Sequence, residues 1–337
     1  MLLQTTRGSP VQVTSEPPVI WLLLDDRVGN RSQCFGVIEA LALPFVIKEL
    51  EYNVLAIIPN QFLGASFLGL TKKSQLSLNE PWPDLVIAAG RRTAPIAREI
   101  KYLSGGATQL VQMMWPGADG VNDFDLVCVP NHDNIPDAKN ILKTTGAASA
   151  ITASKTAEIG QKYEAQYAQY PSPKFALFCG GSTKNRQFTD EMAIDLGHNA
   201  SDLVRVTGGS LLVTTSRRTG DQAKVLIDNI QASAKIHQWK DEGDNPYRAF
   251  LGVADAIIVT GDSMSMCSEA CSTGKPVYIH APPDLITNKH NRLHQELYRL
   301  GCARPLEQKF QPWSYAPLNI SQKIADCISA LLPDKLL

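Results

Sequence analysis

Net charge is almost absent from this chain. Its 337 residues carry 32 Lys and Arg against 33 Asp and Glu, a formal charge of −1. No basic surplus is available for phosphate-backbone contacts, so the balance argues against nucleic acid as a partner. A paired-cysteine pattern is missing too. The seven cysteines (Cys34, Cys128, Cys179, Cys267, Cys271, Cys302 and Cys327) are odd in number, scattered and mostly inside apolar runs. That suits reduced thiols in the cytoplasm rather than a disulfide framework. Cys267 and Cys271 stand four apart in a helix-like stretch, but no second ligand pair follows, so they read as buried small hydrophobes and no metal is expected. No apolar run reaches the length needed to span a bilayer, which leaves peripheral contact, for instance at the inner membrane, as the membrane association to expect. The lead MLLQTTRGSPVQVTSEPP lacks the apolar core and cleavage pattern of a signal peptide. Residues 1–18 read as a disordered lead.

What is present is a packed α/β chain. Hydrophobic residues make up 44% and charged residues 19%, and the length suits two domains. Short apolar runs alternate with helical patterns. VIWLLL (Val19 to Leu24) leads into a helix-like stretch from Ser32 to Leu50. NVLAIIP, PDLVIAAG, TQLVQMM and FDLVCVP follow as strands, with a helix starting near Thr93. The runs are continuous rather than alternating, as in parallel strands covered on both faces. A polar stretch near residues 155–174 interrupts the rhythm, which restarts with KFALFCGG, SLLVTTS, AKIHQW, ADAIIVTG and KPVYIHAP. The simplest account is two doubly wound Rossmann-like domains facing a cleft. The N-terminal domain spans 19–165 and the C-terminal domain 172–315. Residues 316–337 form a closing amphipathic helix that could pack back on the first domain.

In doubly wound sheets ligands bind beyond the carboxyl ends of the strands. In the second half those ends read CGGSTKN, TTSRRTG and TGDSMSMCSE, all rich in Gly, Ser and Thr. Small residues let backbone N–H groups approach an anion, and a helix start adds partial positive charge. Gly180, Gly181, Ser182, Lys184, Arg217 and Arg218 are therefore candidates for a diphosphate. In the stretch Asp262-Ser263-Met264-Ser265-Met266, Ser263 and Ser265 would cap a helix whose N–H groups face that diphosphate. Glu269, about two turns in, could accept hydrogen bonds from a ribose diol. The plain alternative is simple N-capping, with Glu269 paired to a nearby cation. The loop is neither a Walker loop nor Gly-x-Gly-x-x-Gly.

The first half has its own strand ends. Gly29, Asn30 and Gln33 follow the first strand, and Gly90 and Arg91 stand at a later helix start. VCVPNHDNI ends a strand with His132 and Asp133, a pairing that can serve as a general base or can simply form a turn. Asp25 and Asp26 are further base candidates. The acidic triplet Asp123 to Asp125 is similar to the metal-binding triplet of some glycosyltransferases, but it precedes its strand and so belongs at the wrong end of the sheet.

Several blocks carry a resemblance: WLLLDDRVGNRSQCFGVIEAL, PDLVIAAGRRTAPIA, FDLVCVPNHD, TTSRRTG and NPYRAFLGVADAIIVTGDSMSMCSEACSTGKPV. Together, from about Trp21 to Gly301, they resemble the mitochondrial-fission "elongated mitochondria" family of plant proteins and their bacterial relatives. Gly220 stands where that pattern has Pro, and Arg31 and Ser32 interrupt a Gly-Asn-Gln-like turn. The second half is also similar to GT-B glycosyltransferases such as the lipid-II N-acetylglucosaminyltransferase. Gly180, Gly181, Ser182, Ser268, Glu269, Gly274 and Pro276 match the segments that grip the nucleotide sugar there, and NKHNRLHQELYRLG is similar to the segment that follows. The resemblance implies a GT-B fold with donor on the second half and acceptor on the first, where Gly29, Asn30, Gln33, Gly90 and Arg91 would form the acceptor-side loops.

The leading expectation is a metal-independent glycosyltransferase with no permanently bound cofactor. Its donor would be a nucleotide-diphosphate sugar, UDP first, and its acceptor an envelope glycolipid or glycan. Helix N–H groups and Arg or Lys would stabilise the leaving diphosphate. The alternatives are a non-catalytic adapter, since the plant relatives are implicated in recruiting a dynamin-related partner, and a nucleotide-sugar 2-epimerase.

Overall fold

The computed structural model describes residues 17–307 and 310–332; nearly all of the expected lead lies outside them. Two six-stranded parallel sheets form the body. The first takes β1 (Ile20–Leu24), β2 (Val46–Glu49), β3 (Leu85–Ala89), β4 (Gln109–Met113), β5 (Leu126–Pro130) and β6 (Ile141–Thr144), in the order β2-β1-β3-β4-β5-β6. Helices α1 (Val28–Leu41), α2 (Asn60–Leu63), α3 (Lys72–Leu76) and α4 (Ala94–Leu103) connect these strands, and α5 (Ala153–Tyr163) follows. The second sheet takes β7 (Lys174–Cys179), β8 (Ser210–Thr215), β9 (Ala234–His237), β10 (Ala256–Thr260), β11 (Val277–His280) and β12 (Ala303–Pro305), ordered β12-β11-β10-β7-β8-β9. Its helices are α6 (Asp190–Arg205), α7 (Gln222–Asp228), α8 (Tyr247–Val253), α9 (Met264–Ser272) and α10 (Asn288–Arg299), and α11 (Ile320–Ser329) is the last helix among the described residues. The central strands β1, β3, β5, β8 and β10 are buried at every position. That is why their sequences are apolar without alternation.

Three local readings change. The expected helix from Ser32 to Leu50 ends at Leu41, with Ala42 in a left-handed conformation (φ 53°). Pro44 then disfavours helix in the residue before it, and Val46–Glu49 pairs in parallel with β1 instead. NVLAIIP is not a strand but a short 3-10 turn over Val54–Ile57. The Asn53 side chain accepts from Leu55 N–H, and the Arg91 guanidinium takes the Ala56 and Ile58 carbonyls, so the polar groups are satisfied without a sheet neighbour. The polar stretch after residue 155 begins as helix α5, which crosses α8 of the second domain. There Gly160 and Gly252 meet so closely that a Cβ at Gly160 would sit 2.6 Å from the Gly252 carbonyl oxygen.

The chain crosses between domains through residues 145–152, and this crossing is clamped from three sides. Gly36 of α1 presses on Ser149: a Cβ there would lie 2.4 Å from the Ser149 carbonyl carbon. Ser321 of α11 donates to the Ser149 carbonyl (2.8 Å) and accepts from its N–H (3.1 Å). Ser268 of α9 accepts from Ala147 N–H (3.3 Å). Helix α11 lays Ile320, Ile324 and Ile328 into the apolar cluster that holds Val37 and Ile38 of α1. This last described helix thus packs on the first domain.

On another side, α10 bridges to the first domain. Glu296 accepts from Asn131 Nδ2 (2.6 Å) and Thr145 Oγ1 (2.7 Å), and Arg292 donates twice to the His132 carbonyl. Lys289 pairs with Asp133. The His132 ring is buried, and burial lowers its pKa to about 4 against the opposing pull of Asp133. Burial likewise lowers His294 on the same helix to about 4.

Two outcomes follow from this packing. Gly36→Ala should cost ~1–3 kcal/mol, the usual penalty for overpacking against backbone, read as a lower urea midpoint; an unchanged midpoint would contradict the clamp. Between the usual histidine pKa of 6.5 and about 4, His132 and His294 bind protons in the unfolded chain but not in the folded one. Stability should therefore fall as pH falls through that window, by ~1.4 kcal/mol per pH unit for each proton. Urea midpoints across pH should show this slope, reduced in His132→Leu; a flat profile in the wild type would mean that neither ring is buried neutral.

Candidate functional site

A cleft of about 930 Å³ opens between the domains over the clamped crossing. Its first-domain wall is the outer face of α1, with Val28, Gly29, Arg31, Ser32, Gln33, Phe35 and Glu39. Its floor is the crossing itself, Ala147–Ile151. The second-domain wall comes from three strand ends: Ser216, Arg217 and Arg218 after β8, Trp239 after β9, and Ser263, Ser265 and Glu269 at the start of α9 after β10. Tyr247 and Arg248 of α8 complete it. A smaller cavity of about 370 Å³ adjoins it, sharing Ser216, Arg217 and Trp239.

Local sequence explains why these groups face inward. Ser263 accepts from Met266 N–H and caps α9, so the free N–H groups of that first turn point toward the cleft end of the helix. Ser216 caps the turn Arg217–Thr219 and its hydroxyl donates to the Gly180 carbonyl. Arg217 is exposed, while Arg218 is fixed: its guanidinium donates to the carbonyls of Gly181 and Ser182 and to Asp262 Oδ2 (2.6 Å). Four arginines line the cleft; Arg31 is paired with Glu49 and Arg218 with Asp262, so Arg217 and Arg248 are the cations best placed for the charge-assisted bonds that suit phosphate oxygens. Glu269 accepts from the Tyr247 hydroxyl (2.6 Å). Burial raises the Glu269 pKa, and burial together with the facing carboxylate raises that of Tyr247. Glu269 lines the cleft, and among the described residues no hydrogen bond engages its second oxygen.

The sequence candidates divide sharply. Arg217, Arg218, Ser263, Ser265, Glu269, Gly29 and Gln33 come together around the cleft. Gly180, Gly181, Ser182 and Asp262 form the layer beneath it. Asp262 is buried and accepts from Gly181 N–H (3.0 Å), a Cβ at Gly180 would meet its carboxylate, and Ser182 accepts from Phe188 N–H. They hold Arg218 rather than facing a ligand. Met264 and Met266 pack against the apolar core under α9. Lys184 is exposed and does not line the cleft.

The first-half base candidates are not at the cleft. His132 and Asp133 sit under α10, the ring buried and the carboxylate held by Lys289. Asp26 is exposed but paired to Arg92, which keeps its carboxyl below the usual range and so weakens it as a base. Asp25 is buried, accepting from Arg27 N–H, Asn30 Nδ2 and Arg92. Asn30 fills the crevice against Gly90, where a Cβ would sit 2.5 Å from its amide nitrogen, and Arg91 is spent on backbone carbonyls. The switch point of the first sheet is thus filled by the chain's own side chains. Asp123 and Asp125 pair with Arg98 and Lys101.

Sequence reasoning missed Arg31, Glu39, Trp239, Tyr247, Arg248 and the crossing residues. Trp239 was in reach, because it is the last residue of the AKIHQW run, just past the end of β9 at His237. It is 54% exposed between the two cavities. Glu39, ion-paired with Lys155, and the crossing become cleft-lining only through the packing of two domains, which no local pattern encodes.

Comparisons with known proteins place this geometry. Among solved structures, the UDP-GlcNAc 2-epimerase of Methanocaldococcus jannaschii in complex with UDP-GlcNAc and UDP superposes with a TM-score of 0.53. It is 13% identical, with 93% of this chain and 99% of that chain covered. The S. aureus MnaA–UDP structure gives 0.51 at 14% identity over 94% and 97% of the two chains. A glycosyltransferase of Rickettsia africae gives 0.50 at 12% over 95% and 90%. At these identities the likeness shows the fold, two parallel sheets about a cleft in the GT-B arrangement. In sequence, an uncharacterised protein of Rickettsia prowazekii is 31% identical over 93% of this chain and 98% of its own length. The mitochondrial fission protein ELM1 of Arabidopsis thaliana is 28% identical over 78% of this chain and 67% of its own. Residues 28–332 match the family described as Mitochondrial fission ELM1, and the chain belongs to that family.

Proposed function

We propose that the cleft binds a nucleotide-diphosphate sugar and that the protein is a GT-B-type glycosyltransferase. The observation that carries this is the convergence, on one wall, of the capped α9 start, the exposed Arg217 and the carboxylate Glu269, with an exposed indole beside them. In this reading the diphosphate lies at the α9 start against Arg217, with Arg218 behind it, braced by Asp262. The ribose diol bonds the free oxygen of Glu269, which Tyr247 holds in place. The base stacks on Trp239, toward the smaller cavity. UDP is the nucleotide to test first, because two fold neighbours are described as complexes with it.

Chemistry at the sugar needs a leaving diphosphate stabilised as negative charge develops on it, which fixed arginines and helix N–H groups do without reorganising. It also needs a base for the acceptor hydroxyl. On the first-domain wall the carboxylate that lines the cleft is Glu39, whose pair with Lys155 is solvent-exposed and so costs little to open. It would take the hydroxyl proton while the acceptor oxygen bonds the sugar carbon and the diphosphate leaves with the electron pair. A second reading, an adapter that binds the nucleotide sugar without turnover, draws on the fission family. An epimerase reading draws on the fold neighbours. Products separate the three: transfer or hydrolysis, no product, or an epimer.

UDP near a hundred times its Kd should stabilise the chain by ~2.7 kcal/mol, since it binds only the folded state. Arg217→Ala should lose affinity for UDP but not uridine, while Trp239→Ala should lose both. No melting shift with any nucleoside diphosphate at millimolar concentration, or equal losses of uridine and UDP in Arg217→Ala, would defeat the donor site. Glu39→Gln should keep UDP affinity and lower turnover, first assayed as slow donor hydrolysis, by about 10²- to 10⁴-fold. Unchanged hydrolysis would remove Glu39 from the role, and wild-type binding with neither hydrolysis nor epimer would leave the adapter.

A further inference from the structure

The connection from β2 to β3 carries a surface that the nucleotide-sugar reading does not use. From Tyr52 to Thr71 the chain has no charged residue. Polar side chains knit this segment on its inner side. Asn53 Nδ2 donates to the Leu68 and Leu70 carbonyls, and Gln75 Nε2 to those of Phe67 and Leu70. Asn60 Nδ2 reaches the Arg91 and Pro116 carbonyls, while Arg91 holds those of Ala56 and Ile58. Gly69 lies close against Ala56, with space for a Cβ only at van der Waals contact. On its outer side the same segment leaves Val54 85%, Ile57 84%, Phe62 73% and Leu68 58% exposed, and Leu76 follows at 80%. Soluble surfaces seldom keep so many large apolar side chains together unless something covers them. Here the internal bonds stop the segment from folding them away.

We infer that this surface docks on a lipid bilayer. The apolar side chains come from a run without charge, and the run ends directly on Lys72 and Lys73, both exposed. The carboxylates at its other end are neutralised within the chain, Glu51 by Lys73 (2.6 Å) and Glu49 by Arg31 (2.6 Å). Headgroup phosphates would therefore meet Lys72 and paired charges at the border, and acyl chains would meet Val54, Ile57, Phe62 and Leu76. The segment leaves the carboxyl end of β2, the sheet edge at which α1 also starts, with Val28 exposed on the cleft wall. Docking there sets the first-domain side of the cleft beside the membrane and makes the acceptor class a hydroxyl-bearing, lipid-borne molecule. The acceptor class rests on the nucleotide-sugar reading; the docking surface does not.

The test is flotation of the full chain with phosphatidylcholine vesicles, with and without phosphatidylglycerol. Wild type should float, more strongly with phosphatidylglycerol. The double variant Ile57→Asp with Phe62→Asp changes only exposed positions and should lose floated protein by about tenfold or more, because a carboxylate is costly within lipid. Lys72→Glu with Lys73→Glu should remove only the gain from phosphatidylglycerol. Wild type that floats with neither vesicle, or an aspartate variant that floats like wild type, overturns the docking. So does a wild-type dimer in sedimentation that the aspartates dissociate without any flotation, which would make the surface a contact between two copies. A chain that floats but shows no melting shift with UDP keeps the docking surface and loses the lipid-borne acceptor together with the nucleotide-sugar reading.

Discussion

The close contact of Gly36 with Ser149 fixes the geometry on which the rest depends. At that point the chain passes from one sheet to the other, and α1, α9 and α11 all touch the passing backbone. Because the crossing is also the floor of the cleft, the distance between the two walls is set by packing against backbone rather than by a flexible linker. A glycine on α1 lets the helix come this near. Ser321 and Ser268 then satisfy the backbone groups that the crossing would otherwise bury unpaired. The bridge from α10 to the end of β5 adds a second point of fixation, which leaves the cleft preformed.

Within that frame the two sheets treat their carboxyl ends differently. The first sheet closes its switch point on itself: Asp25, Asn30 and Arg92 bond one another against Gly90. The second sheet uses a buried carboxylate, Asp262, to brace Gly181 and Arg218, and leaves Arg217, Glu269 and the α9 start open. Charge that is already paired cannot serve a ligand without cost. In the proposed function it is this difference, more than the count of cations on either side, that favours the second domain for the anion.

Much of this was legible in the sequence. Continuous apolar runs gave the buried parallel strands, and small hydroxyls with glycines marked the strand ends of the second half. The errors share a cause. Asn53 and Arg91 satisfy the backbone of Val54–Ile57 from a distance, so an apolar run that reads as a strand is a turn. His132 beside Asp133 looks catalytic in one dimension, yet α10, more than 150 residues later in the chain, covers it. Glu39 reaches the cleft only through the packing of the two domains. Local pattern reports the period of burial; it does not report what a buried or exposed group faces.

A crystal structure of the chain with UDP would decide where the nucleotide lies. The diphosphate should sit at the first turn of α9, in hydrogen-bond contact with Arg217, and the ribose on Glu269 with the uracil against Trp239. A diphosphate bound instead at the first sheet's Asp25–Arg92 cluster, or under α10 beside His132, would contradict this placement.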